Sequence, residues 1–119
     1  EKTYCCIASN ARDFARFGKL YVQMGRWKDR QLLDSAYIQQ SILPAADNSP
    51  DYGYGWWLST FDGKKVFSMN GHLGQFIIAI PDDNLIIVRL GHKTDKLGIH
   101  NPQGAYYKYI EQAYILLQK

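Results

Sequence analysis

The feature that most constrains this chain is a pair of apolar runs, residues 75–80 and 85–90, separated by Pro81-Asp82-Asp83-Asn84. Both runs are rich in β-branched and aromatic residues, and the four residues between them are turn formers. That combination predicts an antiparallel hairpin with two strongly apolar strands. A sheet of this kind needs cover, and the rest of the chain supplies it. Ala11, Phe14, Phe17, Tyr21 and Met24 recur at helical spacing, widened by Ala15 and Leu20, which predicts a helix over residues 10–24. Ser9 or Asn10 suits its N-cap, Asp13 suits its first turn, and Gly25 suits its end. Residues 26–33 read as a small hairpin turning near Asp29. Asp34 then caps a second helix, residues 35–42, stopped by Pro44.

Residues 44–51 are loop by composition. Tyr52-Gly53-Tyr54-Gly55-Trp56-Trp57-Leu58 alternates large and absent side chains, and period two predicts a strand with Tyr52, Tyr54 and Trp56 on one face. Asp62-Gly63 marks a turn and residues 65–69 a further strand. Residues 91–103 read as loop. Residues 104–118 read as a final helix whose buried stripe is Tyr106, Ile110, Ala113, Tyr114 and Leu117. The fold class is therefore α+β, an antiparallel β-sheet flanked by helices, in a single domain over residues 1–119.

Charge separates function classes. Residues 1–30 carry seven bases and three acids, residues 31–62 four acids and no base, and residues 63–119 seven bases and four acids. The bases form no stripe or run, so a solvated mixed surface is favoured over a nucleic-acid interface. No apolar run is long enough to span a bilayer. Cys5 and Cys6 are adjacent, and a disulfide between neighbours would be strained. No metal-ligand spacing occurs, so no metal and no cofactor is expected.

The best candidate for chemistry is Gly71-His72-Leu73-Gly74-Gln75, at the entry to an apolar strand. Flanking glycines let a ligand approach the backbone, the N–H groups that follow can donate to an anionic oxygen, and the imidazole can bond substrate or a proton-transfer partner. The bland alternative is a flexible hairpin entry with an exposed histidine. Other candidates are weaker. Cys5 or Cys6 with His72, His92 or His100 lacks a third orienting residue. Tyr52, Tyr54, Trp56 and Trp57 suit strand packing better than stacking on a sugar or base. Arg89, inside an apolar strand, is unusual: it pairs with an acid at the strand end or snorkels to solvent, and the sequence names no partner.

Taken in order, the run from Ser9 to Gly18, then Gly25-Arg26-Trp27, then Tyr52-Gly53-Tyr54-Gly55-Trp56-Trp57, then Gly71-His72-Leu73-Gly74-Gln75 resembles the C-terminal part of the serine β-lactamase/penicillin-binding-protein-like family, in its class C β-lactamase and esterase branch. Each motif alone is modest, and the four in sequence are fairly specific. The resemblance covers essentially the whole chain. It implies a partial β-lactamase/transpeptidase-like fold and hydrolysis of an ester, amide or β-lactam through a serine acyl-enzyme. His72-Leu73-Gly74 is similar to the His-x-Gly variant of the family's Lys-Thr-Gly triplet. The resemblance thus implies catalytic roles for His72, Gly74 and Gln75, the last through its N–H as an oxyanion donor, and a substrate-binding role for Leu73. An imidazole is not the fixed cation that a lysine is, so ester, amide or peptide substrates suit this wall at least as well as carboxylate-bearing β-lactams.

The chain also departs from the pattern. No serine is followed three residues later by lysine, and no tyrosine is followed at the second position by asparagine. The expectation is a fragment: the C-terminal portion of a longer hydrolase, inactive alone, whose full-length form takes a small-molecule or peptide substrate. The competing expectation is a non-catalytic binding or interaction domain on the same scaffold. Truncation also predicts self-association through an exposed sheet edge near residues 85–90, or by helix exchange.

Overall fold

The computed structural model describes residues 6–93, 101 and 104–118. The elements run α1 (Ala11–Val22), β1 (Arg26–Trp27), β2 (Arg30–Gln31), α2 (Ser35–Ser41), β3 (Trp57–Phe61), β4 (Lys64–Gly71), β5 (Gln75–Ile80), β6 (Leu85–Arg89) and α3 (Ala105–Leu117). Short three-ten turns occupy His72–Gly74 and Pro81–Asp83. Strands β3 to β6 form one antiparallel sheet in sequence order, and β1 pairs with β2 as a separate small hairpin. The fold is α+β, as the sequence implies.

The hairpin of β5 and β6 fixes the architecture. Its register runs from Phe76 opposite Arg89 to Ile80 opposite Leu85. Asn84 closes the turn in the left-handed region, φ 51°. The alternation along β5 sorts its side chains into two cores. Phe76, Ile78 and Ile80 pack with Val66 of β4 and with Tyr106 and Ile110 of α3. Ala79 packs with Tyr21 of α1, Ile38 of α2, Phe67 of β4 and Trp56. The sheet therefore lies between helical layers, and β5 is buried on both faces. Burying a side chain such as Ile78 contributes about 1.5–3 kcal/mol.

Helix α1 approaches this sheet closely because Gly18 faces it. A Cβ at Gly18 would lie 3.1 Å from Ile77 and 3.2 Å from Ile86. Asn10 caps the helix, its side chain accepting from the Asp13 N–H at 3.0 Å. Hydrogen bonds from Ser9 and then Arg16 hold the Asp13 carboxyl below the usual range. The helix stops at Val22, short of the predicted residue 24, because Met24 and Gly25 both take positive φ. Its buried stripe centres on Gly18 and Tyr21, while Phe17 is 38% exposed. Asp34 caps α2 as predicted, accepting from the N–H groups of Ala36 and Tyr37.

The predicted strand over residues 52–58 is corrected. Only Trp57 and Leu58 of that run belong to a strand, and the residues before them form a tight loop. The Gly53 N–H donates to the Trp56 carbonyl at 2.8 Å, and the Tyr54 N–H donates to the Ser41 carbonyl at the end of α2 at 2.9 Å. These bonds turn the chain and drive Trp56 into the core, where it is fully buried against Tyr21 and Phe67. Tyr52 and Tyr54 stay exposed. The loop looks like period two because its glycines alternate with aromatics. Those glycines serve close approach and a positive φ instead of a pleat.

Strand β4 runs from Lys64 to Gly71, longer at both ends than the predicted 65–69. Leu117 is 64% exposed, because α3 runs past the part of the sheet it covers. Cys6 is disulfide-bonded. Cys5, His100 and most of residues 91–103 lie outside the described residues.

Candidate functional site

Antiparallel order brings the start of β3, the end of β4, the start of β5 and the exit of β6 to one end of the sheet. The bend from Gly71 to Gln75 stands there. Gly71 pairs with Gln75 as the first rung of the β4–β5 hairpin. Between them His72–Gly74 forms a three-ten turn, with Leu73 at φ 60°, ψ 25° and Gly74 at φ 77°. Gly71 must be glycine here, since a Cβ would sit 2.9 Å from that of Gln75. A leucine in the left-handed region costs roughly 1–2 kcal/mol, so something else in the structure holds this bend in place.

Arg89, at the end of β6, is the brace. Its Nη1 donates to the carbonyls of Leu73 at 2.8 Å and Gly74 at 2.7 Å, and its Nη2 donates to the carbonyl of Lys93. The guanidinium also lies over the ring of Tyr109 of α3, 5.7 Å from its centroid. Gly91 makes room, because a Cβ there would lie 2.7 Å from the guanidinium carbon. The Gln75 side chain adds a second tie. Its amide oxygen accepts from the Gly91 N–H at 2.9 Å, and its amide nitrogen donates to the Gly91 carbonyl. The bend is thus bolted to the exit of β6. The sequence marks Arg89 as unusual without giving its partners, and these are backbone carbonyls, which carry no residue signature.

Of the predicted site residues, His72, Leu73, Gly74 and Gln75 are brought together on this bend. His72 and Leu73 are exposed, Gly74 is buried and Gln75 half-buried. Among the described residues, the His72 and Leu73 side chains are the parts of the bend left open to solvent. His92 is exposed and one residue from the Gly91 tie. The cysteine alternative loses its thiol at Cys6, which is disulfide-bonded. Among the described residues no group of three or more His, Cys, Asp or Glu is placed to hold a metal.

An open recess of about 400 Å³ at the same end of the sheet is lined by Asn48, Ser49, Pro50, Asp51, Tyr52 and Trp57. A second, of about 340 Å³, lies between the Pro50-Asp51 loop, β3 and Tyr107. Neither includes a residue of the bend. At the other end of the sheet, Lys64 Nζ lies 2.6 Å from the Asp83 carboxylate, and Tyr114 Oη donates to the same oxygen. These bonds, Lys64 first, hold the Asp83 carboxyl low. This cluster ties β4, the β5–β6 turn and α3 together, well away from the bend.

Comparison with known proteins bears on the family and the fold. The family model described as Beta-lactamase matches residues 6–108. A solved structure from Bacillus anthracis, assigned as a 6-aminohexanoate-dimer hydrolase, superposes with a TM-score of 0.64 at 22% sequence identity, over 92% of this chain and 28% of that one. No match was found among curated proteins. The chain therefore spans less than a third of the length of the solved structure whose fold it shares.

Proposed function

The chain belongs to the Beta-lactamase family, and on that premise we propose that it is the strand-end wall of a serine hydrolase active site. In this reading a serine hydroxyl on polypeptide outside these 119 residues attacks the substrate carbonyl, and the acyl-enzyme so formed is then hydrolysed. His72 bonds the substrate or the group that relays the proton. The N–H of Gln75 helps stabilise the developing oxyanion, and Leu73 contacts the substrate's apolar part. Substrates are esters, amides or β-lactams. Without the Ser-x-x-Lys nucleophile, this chain alone performs no turnover.

The observation that carries the reading is the exposed, braced bend. A strained turn held by a guanidinium and a side-chain amide is a rigid wall, and rigid donors are what electrostatic stabilisation of an oxyanion needs. Membership of the family and the shared fold support it. The test is complementation. The chain is mixed with a family-member polypeptide that carries Ser-x-x-Lys but lacks this region, and assembly is confirmed by light scattering. Turnover of a chromogenic ester and of the 6-aminohexanoate dimer is then followed. The expected result is turnover that appears on assembly and drops about a hundredfold with His72→Ala, the lower end of general acid–base contributions. Assembly without turnover overturns the reading and leaves a non-catalytic binding domain.

A further inference from the structure

We propose that Arg89 is a positioning residue that sets the direction in which the backbone N–H groups of Gly74 and Gln75 point. In a trans peptide the carbonyl of one residue and the N–H of the next point in opposite directions. No peptide in the described chain is cis. The carbonyl of Leu73 shares its plane with the N–H of Gly74, and the carbonyl of Gly74 shares its plane with the N–H of Gln75. Arg89 binds both carbonyls through the same nitrogen, at 2.8 and 2.7 Å. Both N–H groups are therefore turned to the side of the bend away from the guanidinium.

The guanidinium is itself held in place. It contacts the Lys93 carbonyl and the Tyr109 ring, and the missing side chain of Gly91 leaves it room. A lysine at this position keeps the charge but loses the planar fork, so it cannot hold two carbonyls of the bend and a third beyond β6 together. A flip of the Gly74–Gln75 plane turns ψ of Gly74 and φ of Gln75, which a glycine tolerates, and it would reverse the donor; the charge-assisted bonds of Arg89 oppose that flip.

The inference deepens the proposed function and rests on it for its catalytic meaning, but its test is read in the chain itself. Backbone amide signals and hydrogen exchange are recorded by NMR for the full chain, Arg89→Lys and Arg89→Ala. Expected are shifts confined to residues 72–75 and 91–93, and exchange of the Gly74 and Gln75 N–H groups faster by about tenfold. The Ile78 and Ile110 amides keep their positions. Millimolar guanidinium ion returns the Arg89→Ala signals towards wild type. Arg89→Lys signals at Gly74 and Gln75 that match wild type overturn the proposal. So does a disturbance spread equally over β5 and α3, which marks a purely structural arginine. In the complemented enzyme the same lysine variant is expected to lower kcat more than it raises KM. Loss of turnover in every complex with the NMR result intact would remove the hydrolase reading and leave the positioning role standing.

Discussion

Replacing Gly53 by alanine tests why the aromatic-glycine run is a loop and not a strand. A Cβ at Gly53 would lie 2.1 Å from the Ser41 carbonyl oxygen and 2.8 Å from that of Leu43. Ordinary contact begins near 3.4 Å, so backbone must move by more than an ångström at the end of α2. That movement breaks the bond from Tyr54 to Ser41 and strains the one from Ala45 to Tyr52. Each is worth about 1 kcal/mol net, and the overpacking adds about 1–3 kcal/mol. The expected loss is roughly 3 kcal/mol, or about 10 °C in melting temperature for a domain of this size. Gly55 is the internal control. Its φ of +82° disfavours a side chain, but nothing lies within 4 Å of its Cβ position. Gly55→Ala should cost only about 1 kcal/mol. Urea titrations followed by tryptophan fluorescence compare the two. Equal losses would refute the argument, because they would mean that backbone conformation alone, and not contact with α2, places a glycine at position 53.

Two further outcomes are expected. The folded Asp83 carboxyl is held below its reference value of 3.8 by Lys64 and Tyr114, so its contribution to stability is complete above that pH and is lost as pH falls through the folded value. Thermal melts of Asp83→Asn from pH 2 to 7 should accordingly be flatter on the acid side than those of wild type, and parallel curves would contradict this. The outer edge of β6 is unpaired among the described residues, and we predict that the chain self-associates through it. Light scattering at high concentration should show species larger than the 13.7 kDa monomer, and a monodisperse monomer counts against the prediction.

How much the sequence reveals depends on where the deciding partner sits. The β5–β6 hairpin was legible because its signal is local, two apolar runs around four turn residues. The cap at Asp34 was legible for the same reason, and the cap of α1 was narrowed to Ser9 or Asn10, since a capping side chain serves N–H groups within three residues of itself. The loop at Gly53 was not, because the atoms that exclude its Cβ belong to Ser41 and Leu43 in another element. Helical periodicity at Leu117 is genuine, but the sheet it would cover ends earlier. At the candidate site, His72 to Gln75 could be picked out as a glycine-flanked histidine before an apolar strand. Arg89 could only be marked as out of place, because its partners are carbonyls brought near by the β5–β6 register.

Burial of β5 on both faces also bears on how the domain comes apart. Lifting either helical layer uncovers the same central strand, so neither layer can melt as an independent unit without exposing the interior shared by both. The amide protons of Ile77, Ile78 and Ala79 should then exchange with solvent only through global opening, and their protection should report the stability of the whole domain. Loss of the disulfide at Cys6 or fraying of the far end of α3 should leave that protection unchanged.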